Sequence, residues 1–427
     1  MTAKYIVLNP GSHPAPRWIA SAFAQRGELD SYWTGLQFAA DDPMLRAVGK
    51  FRPEVSNRAL PRALSRGYVR RPAAALDALS TGLMAMGFSE LRNKLLKPRN
   101  QLTGRALERY IRGLMRSGGP LPTLVLPTET ASGVESFCRR QSVPYVLYTP
   151  LPDAAYCREI LEEEAAVNER WSRYLGVIPE APSFEADLDV SGAEAVVANS
   201  SFTALSYSRW DELDVRAVPL AVDLEKLTRL GIRGAALRQR PRLPEEPLKL
   251  IYAGQINQRK GLSYLAEAVE RVSALIPTEL ILVGSDSLRM VDMLRRRYPS
   301  ADIKHVERVA QEELWQLMGT AHVFAFPTIL DGFGNALAEA AAIGLPSIVT
   351  ERCGATDLGL LQSGGARLVP PGDASAIADV LLEWGKDESA RARSATLASA
   401  TMRDGWSWTD YGAAVADYLD ARATSGA

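Results

Sequence analysis

The run from Pro327 to Pro346, Pro-Thr-Ile-Leu-Asp-Gly-Phe-Gly-Asn-Ala-Leu-Ala-Glu-Ala-Ala-Ala-Ile-Gly-Leu-Pro, constrains this chain more than any other stretch. Ahead of it, Ala321 to Phe326 is short, apolar and rich in aromatic and β-branched residues, which suits a buried strand, and Pro327 cannot donate to a central ladder. Gly332 and Gly334 permit positive φ and let a ligand approach the backbone closely. Asn335 to Ile343 is Ala-rich with no breaker and predicts a helix stopped by Gly344 and Pro346. A strand that ends in a glycine turn and feeds a helix offers free N–H groups and a positive dipole end, so an anion, a phosphate foremost, is the expected guest. Asp331 stands just before that site and Glu339 eight positions later, about one turn inside the helix. In an ordinary α/β unit the same residues are a glycine turn, a solvated Asp and a helix-surface Glu.

At 427 residues with 47% hydrophobic content the chain exceeds what one core usually organises, so two domains are expected. Its net charge of −1 hides an asymmetry. Arg46 to Arg116 holds sixteen Lys and Arg against Glu54, Asp77, Glu90 and Glu108, a formal +12, which leaves the remainder acidic. Three cysteines, Cys138, Cys157 and Cys353, and three scattered histidines have no metal-ligand spacing, so a reduced cytoplasmic chain without structural zinc is expected. The N-terminus runs into the strand Tyr5 to Leu8 without a charged leader, so no secretory signal is expected. No apolar run reaches the roughly 18 residues of a membrane span, and the apolar helix candidate Leu76 to Phe88 is long enough to lie on a membrane and too short to cross one.

Tyr5 to Leu8, the turn Asn9 to Pro16 and a helical stretch from Arg17 to Arg26 read as the strand, turn and helix that open a Rossmann-like sheet. Arg58, Arg62, Arg66 and Arg70 recur every four residues and would line one face of a helix. Arg105, Arg109, Arg112 and Arg116 repeat the pattern, with Leu107, Ile111 and Leu114 between them. These are either solvated faces or, since one sign dominates, a surface for an anionic bilayer. Thr123 to Leu126, Pro144 to Tyr148 and Ala193 to Ala198 read as strands. Asp153 to Tyr174 reads as a helix whose cluster Glu159, Glu162, Glu163 and Glu164 is a solvated face. Asn199-Ser200 is a helix-capping turn, and Arg229 to Pro247 is an exposed connector. Leu248 to Ala253 then delivers Gly254-Gln255-Ile-Asn-Gln-Arg259-Lys260-Gly261, two adjacent cations directly after a strand end. Glu279 to Val283, Ile303 to Val306, Ser347 to Thr350 and Arg367 to Val369 complete an alternating strand and helix pattern.

Asp331-x7-Glu339 resembles the Glu-x7-Glu signature of family-4 retaining glycosyltransferases (glycosyl transferases group 1), with Asp in place of the first Glu. Gly254, Lys260 and Gly261 match that family's Gly-Arg-Leu-x3-Lys-Gly; Gln255 occupies the Arg position and Arg259 is the neighbouring cation. Asn199-Ser200 resembles its Asn-Ser turn, and Pro219-Leu-Ala221-Val-Asp223 its Pro-x-Gly-Val-Asp hinge with Ala221 for Gly. The resemblance implies an α/β GT-B fold, two Rossmann-like domains facing a central cleft. Residues 1–228 would form the acceptor-side domain, 229–247 the linker, 248–404 the nucleotide-sugar domain, and 405–427 a helix crossing back.

The same resemblance implies transfer of a sugar, with retention, from a UDP- or GDP-linked donor, without a cofactor or metal ion. Glu339 would hold the ribose hydroxyls and Asp331 would lie near the transferred sugar, while Arg259 and Lys260 would neutralise the leaving diphosphate. Gly254, Gln255, Gly332, Phe333, Gly334 and Asn335 would line the donor site, and backbone near Arg308 and Val309 would meet the base. Gly11, Ser12 and His13 would lie on the acceptor side, although a structural turn accounts for His13 equally well. The acceptor would be a sugar or a lipid-linked or surface polysaccharide precursor, reached from the cytoplasm or the inner membrane face; no nucleic acid partner is implied. Asp331 for Glu and Gln255 for Arg keep open a non-catalytic nucleotide- or sugar-binding subunit. A GT-B epimerase or phosphorylase is a further alternative.

Overall fold

Short apolar runs become two all-parallel sheets in the computed structural model, which describes residues 5–11, 13–39, 41–43, 59–85, 88–128, 133–175, 190–238, 241–402 and 406–425. The first sheet comprises β1 (Tyr5–Asn9), β2 (Leu29–Thr34), β3 (Val69–Arg70), β4 (Thr123–Pro127), β5 (Tyr145–Thr149), β6 (Ala195–Ala198) and β7 (Val215–Ala217). Its strand order is β3-β2-β1-β4-β5-β6-β7. The second comprises β8 (Leu248–Ala253), β9 (Thr278–Val283), β10 (Asp302–Val306), β11 (Val323–Phe326), β12 (Ser347–Val349) and β13 (Ala366–Leu368), ordered β10-β9-β8-β11-β12-β13. Every residue of β1, β5, β6 and β11 is buried, as expected where helices cover both faces of a parallel sheet. In each sheet the order reverses at the first strand, between β1 and β4 and between β8 and β11, and ligands of such folds bind at that crevice beyond the carboxyl ends. The expected architecture of two Rossmann-like domains is borne out.

Local chemistry sets the elements that frame the crevice. The helix Pro14–Arg26 starts on the His13 cap with Pro14 in its first turn, and Gly27 ends it at φ 72°. The helix Asn335–Ile343 runs between Gly334 and Gly344, with φ of 88° and 93°. The helix Trp408–Ser425 packs on Pro14–Arg26, and Arg26 pairs with Asp417 at 2.6 Å and Asp420 at 2.7 Å.

Some expectations fail. Among the described residues 59–70, turns and the two-residue β3 replace the expected arginine-lined helix; Arg58 lies outside them. Leu60 and Leu64 are buried behind the arginines, but Pro61 and Gly67 interrupt the segment, and the backbone is tied to β2 and its neighbours, with Tyr32 N donating to Tyr68 O and Leu60 N to Phe38 O. The helix expected over Asp153 to Tyr174 is two, Ala154–Val167 and Glu169–Ser172, broken at Asn168. The connector is docked, because Gly234 N donates to Ala342 O and Arg242 Nη2 to Gly385 O at 2.6 Å. Between β3 and β4 the basic segment forms the antiparallel helices Ala74–Ala85 and Ser89–Ser117. Among the described residues no helix is long and apolar enough to cross a membrane.

Candidate active site

A cavity of about 270 Å³ lies where the two strand-end crevices face each other. His13, Pro150, Asn199 and Leu220 line it from the first domain, and Gly254, Lys260, Asp331, Phe333 and Asn335 from the second. A larger cavity of about 510 Å³, bordered by Arg173 and Arg289, contains none of the glycine-turn residues.

At its centre the Lys260 ammonium pairs with the Asp331 carboxylate, and both side chains are nearly buried. Gly261 makes this geometry possible: at φ 70° it passes so close to β11 that a Cβ would lie 1.9 Å from the Pro327 carbonyl oxygen. Only glycine tolerates both conditions. Lys260 also sits 5.4 Å from the Phe326 ring centroid. Burial, and next the Arg259 charge, pull the Lys260 ammonium down to about 8 against the opposing pull of Asp331. For Asp331 burial works upward, but Lys260 and Arg259 together hold its carboxyl below the usual range. Arg259 does not line the cavity; its Nη1 donates to Leu330 O at 2.9 Å, so its charge acts from behind the pair.

The free end of the helix Asn335–Ile343 opens on the same space, since Asn335 and Ala336 line the cavity and Gly334 supplies no capping side chain. One turn further in, the Glu339 carboxylate accepts from Gln311 Nε2 at 2.9 Å. Burial raises its pKa, offset by the Trp315 and Gln311 groups facing it and the Lys226 charge. Gln311 opens the helix Gln311–Met318, directly after the loop that carries Arg308 and Val309. Neither of those two lines the cavity. Gln255 is exposed, and its carbonyl accepts from the Tyr252 hydroxyl at 2.8 Å.

On the first domain Asn9, 1% exposed, fixes the loop above β1. Its Nδ2 donates to His13 O at 2.8 Å and Tyr32 Oη at 2.7 Å, and its Oδ1 accepts from His13 N at 3.0 Å. His13 Nδ1 accepts from Ala15 N at 3.3 Å, which leaves the ring proton on Nε2. Burial, and then the Arg17 charge, bring His13 down to about 4. Gly11 is an exposed turn residue outside the cavity lining, and Ser12 lies outside the described residues.

Two positioning groups were not anticipated. Ser200 Oγ and Thr203 Oγ1 both donate to Gly332 O, at 2.5 and 3.2 Å, so the capping turn of the first domain holds the glycine turn of the second. Glu164, expected on a solvated face, is 7% exposed and accepts from Gln258 Nε2 at 2.8 Å and Tyr264 Oη at 3.0 Å, across the domains. Burial raises its pKa against those hydrogen bonds. The spacing Cys157, Ile160, Leu161, Glu164, one apolar helix face, is the signal that locates it. Asn199, also cavity-lining, adjoins the turn already visible in sequence.

Among the described residues no group of three or more His, Cys, Asp and Glu is placed to hold a metal ion; the sequence pair Asp187-Leu-Asp189 lies outside them.

Residues 235–399 match the family model for glycosyl transferases group 1. The chain carries a glycosyl transferases group 1 domain. A D-inositol 3-phosphate glycosyltransferase of Xylanimonas cellulosilytica is 30% identical over 241 residues, 53% of this chain and 57% of that protein. The amylovoran biosynthesis glycosyltransferase AmsK of Erwinia amylovora is 26% identical over 189 residues, 41% of this chain and 46% of that protein. The chain thus spans about half the length of the curated relatives it matches. Among solved structures, a sucrose-phosphate synthase from Thermosynechococcus elongatus superimposes over 99% of this chain and 100% of its own, with TM-score 0.63 and 18% identity. HepE of Anabaena, in complex with UDP and glucose, does so over 98% of this chain and 100% of its own, with TM-score 0.58 and 16% identity. The fold is GT-B.

Proposed function

We propose that this chain transfers a sugar from a UDP- or GDP-linked donor to an acceptor hydroxyl with retention of configuration and without a divalent metal. The carrying observation is the buried Lys260 ammonium beside a free helix N-terminus in a cavity walled by both domains. A diphosphate gains charge as the glycosidic bond breaks. A buried ammonium and oriented N–H groups stabilise that charge more than water does. Asp331 remains ionised beside Lys260, close to where the sugar's anomeric centre develops positive charge. His13, with a pKa near 4, is a weak base at neutral pH, which favours a front-face path in which the departing phosphate oxygen takes the acceptor proton. Glu339, one turn inside the helix, is the candidate for the ribose hydroxyls.

The relatives' printed names, a D-inositol 3-phosphate glycosyltransferase and an amylovoran biosynthesis glycosyltransferase, support a biosynthetic sugar-transfer role. HepE's bound UDP supports a uridine donor. A lipid-linked or surface polysaccharide precursor at a cytoplasmic membrane face is the acceptor class proposed. The test is hydrolysis of UDP- and GDP-sugars in EDTA, with the anomer of the released sugar followed by NMR. Metal-independent release of the retained anomer is expected. Binding of nucleotide without turnover of any donor or transfer to any acceptor would replace the enzyme with a non-catalytic subunit.

A further inference from the structure

The helix Ser89–Ser117 is held by one face and bare on the other. Leu107 and Ile111 are buried in one core with Ile6, Leu8 and Leu124 of the first sheet, and Arg99, also buried, pairs with Asp77 of the helix Ala74–Ala85 at 3.4 Å. Leu91, Lys94, Pro98, Leu102, Arg105, Arg109, Arg112 and Arg116 are all exposed and follow at intervals of three or four residues. At about 100° per residue this places all eight within an arc of roughly 80°, along about 38 Å of helix. No carboxylate lies on that stripe. Among the described residues none of its four arginines forms an ion pair; Arg112 only covers the Phe137 ring, 4.8 Å from its centroid. The apolar half is extended by Phe88, 56% exposed at the helix start, and by Leu79, 52% exposed on the partner helix Ala74–Ala85.

We infer that this face is a membrane-docking surface that lies flat on an anionic lipid bilayer. Leu79, Phe88, Leu91 and Leu102 would enter the acyl boundary while Lys94 and the four arginines meet lipid phosphates. A stripe of cations alone would suit any polyanion. The distinguishing feature is the exposed apolar set on the same hairpin, which has no use for a fully solvated polyanion and suits the boundary between headgroups and acyl chains. The positive sign of the face matches the negative potential of such a surface. The purpose of docking rests on the proposed transfer to a lipid-linked acceptor; the geometry of the face does not.

The test is co-sedimentation of the full chain with vesicles of phosphatidylcholine alone and of phosphatidylcholine with phosphatidylglycerol, beside binding to polyphosphate as a soluble polyanion. Binding only to the anionic vesicles is expected, weakened by salt because the attraction is screened over about 10 Å at 0.1 M. Arg105→Gln, Arg109→Gln and Arg116→Gln together should weaken it about 100-fold, at roughly five-fold for each cation. Leu91→Ser with Leu102→Ser should weaken vesicle binding and leave polyphosphate binding unchanged. Donor hydrolysis should be unaltered in both variants, so loss of docking is read separately from loss of transferase function. Equal binding to neutral and anionic vesicles would overturn the inference. So would a Leu variant with full vesicle affinity, which would make the face a site for soluble polyanions.

Discussion

The Ser200 hydroxyl donates to the Gly332 carbonyl at 2.5 Å, and the two residues lie 132 positions apart, in different domains. Asp331, the carboxylate of the central ion pair, directly precedes that carbonyl, so the first domain fixes the acid of the second. The contact is tight on both sides: a Cβ on Gly332 would fall 2.2 Å from the Pro150 carbonyl oxygen. Ser200 Oγ also accepts from Thr203 N at 3.0 Å, capping the helix that follows.

Ser200→Ala therefore removes a cap and leaves Gly332 O with only the longer Thr203 bond. A stability loss of about 1–3 kcal/mol is expected in urea unfolding. Amide exchange in the segment Asp331 to Asn335 should rise more than in β8. Exchange unchanged there would mean that the hydroxyl does not position the turn.

The Lys260 and Asp331 pair separates stability from catalysis. Lys260→Met leaves a buried carboxylate unpaired, at a cost of roughly 3–5 kcal/mol. Adding Asp331→Asn should recover most of that stability. Turnover should stay down at least about 10²-fold, because the cation proposed to meet the leaving group is still missing. A double variant that regains activity along with stability would assign Lys260 a structural role.

The depressed Lys260 pKa sets a pH window. With its folded value near 8 and its ordinary value at 10.5, the unfolded chain binds more protons between those limits. This group's contribution to stability therefore rises with pH across that range. Catalysis runs the other way. Only the ammonium neutralises phosphate, so kcat/KM, which reports the free enzyme, should fall above pH 8. The profile for kcat should break at higher pH, since bound diphosphate raises the lysine pKa. Lys260→Arg should abolish the break in any active variant, and a break that persists there belongs to another group.

The central segment was legible in sequence because each part carries its own local signal: Pro327 ends a strand, Gly334 and Gly344 bracket a helix, and the Ala run between them has no competing structure. β2 was missed because Asp30 and Ser31 break its apolar run, and β7 because Arg216 is exposed and the strand is short. Arginines at three- or four-residue intervals suggested a helix at Arg58 to Arg70 and another at Arg105 to Arg116; Leu60 and Leu64 are buried behind the first as Leu107 and Ile111 are behind the second, but the first carries Pro61 and Gly67 and its backbone pairs with β2. Side-chain period alone does not specify a helix where a proline and a glycine break the run. The Ser200 to Gly332 bond and the Glu164 clasp were hidden for a different reason. The helix face of Cys157, Ile160, Leu161 and Glu164 marks Glu164 as buried, but its partners Gln258 and Tyr264, like the Ser200 to Gly332 bond, depend on how two domains face each other, which no local pattern encodes.

The two acids of the Asp331-x7-Glu339 segment should fail differently. Glu339 is held by Gln311 at 2.9 Å, and Gln311 follows the loop of Arg308 and Val309, so the role proposed for it is at the nucleoside end of a donor. Hydrogen bonds to a nucleoside are made in ground and transition states alike and lower KM more than they raise kcat. Glu339→Gln should weaken UDP or GDP binding about 10- to 100-fold, the range for hydrogen bonds to a charged acceptor. Because burial raises the Glu339 pKa, nucleotide affinity of the unmodified protein should also decline on acidification, before an ordinary carboxylate would titrate. That decline should vanish in Glu339→Gln. Asp331→Asn frees Lys260 of its counter-charge, so free-nucleotide affinity should hold or rise while turnover falls. Calorimetric titration of both variants with free nucleotide decides the matter, and a larger loss in Asp331→Asn than in Glu339→Gln would exchange the two roles.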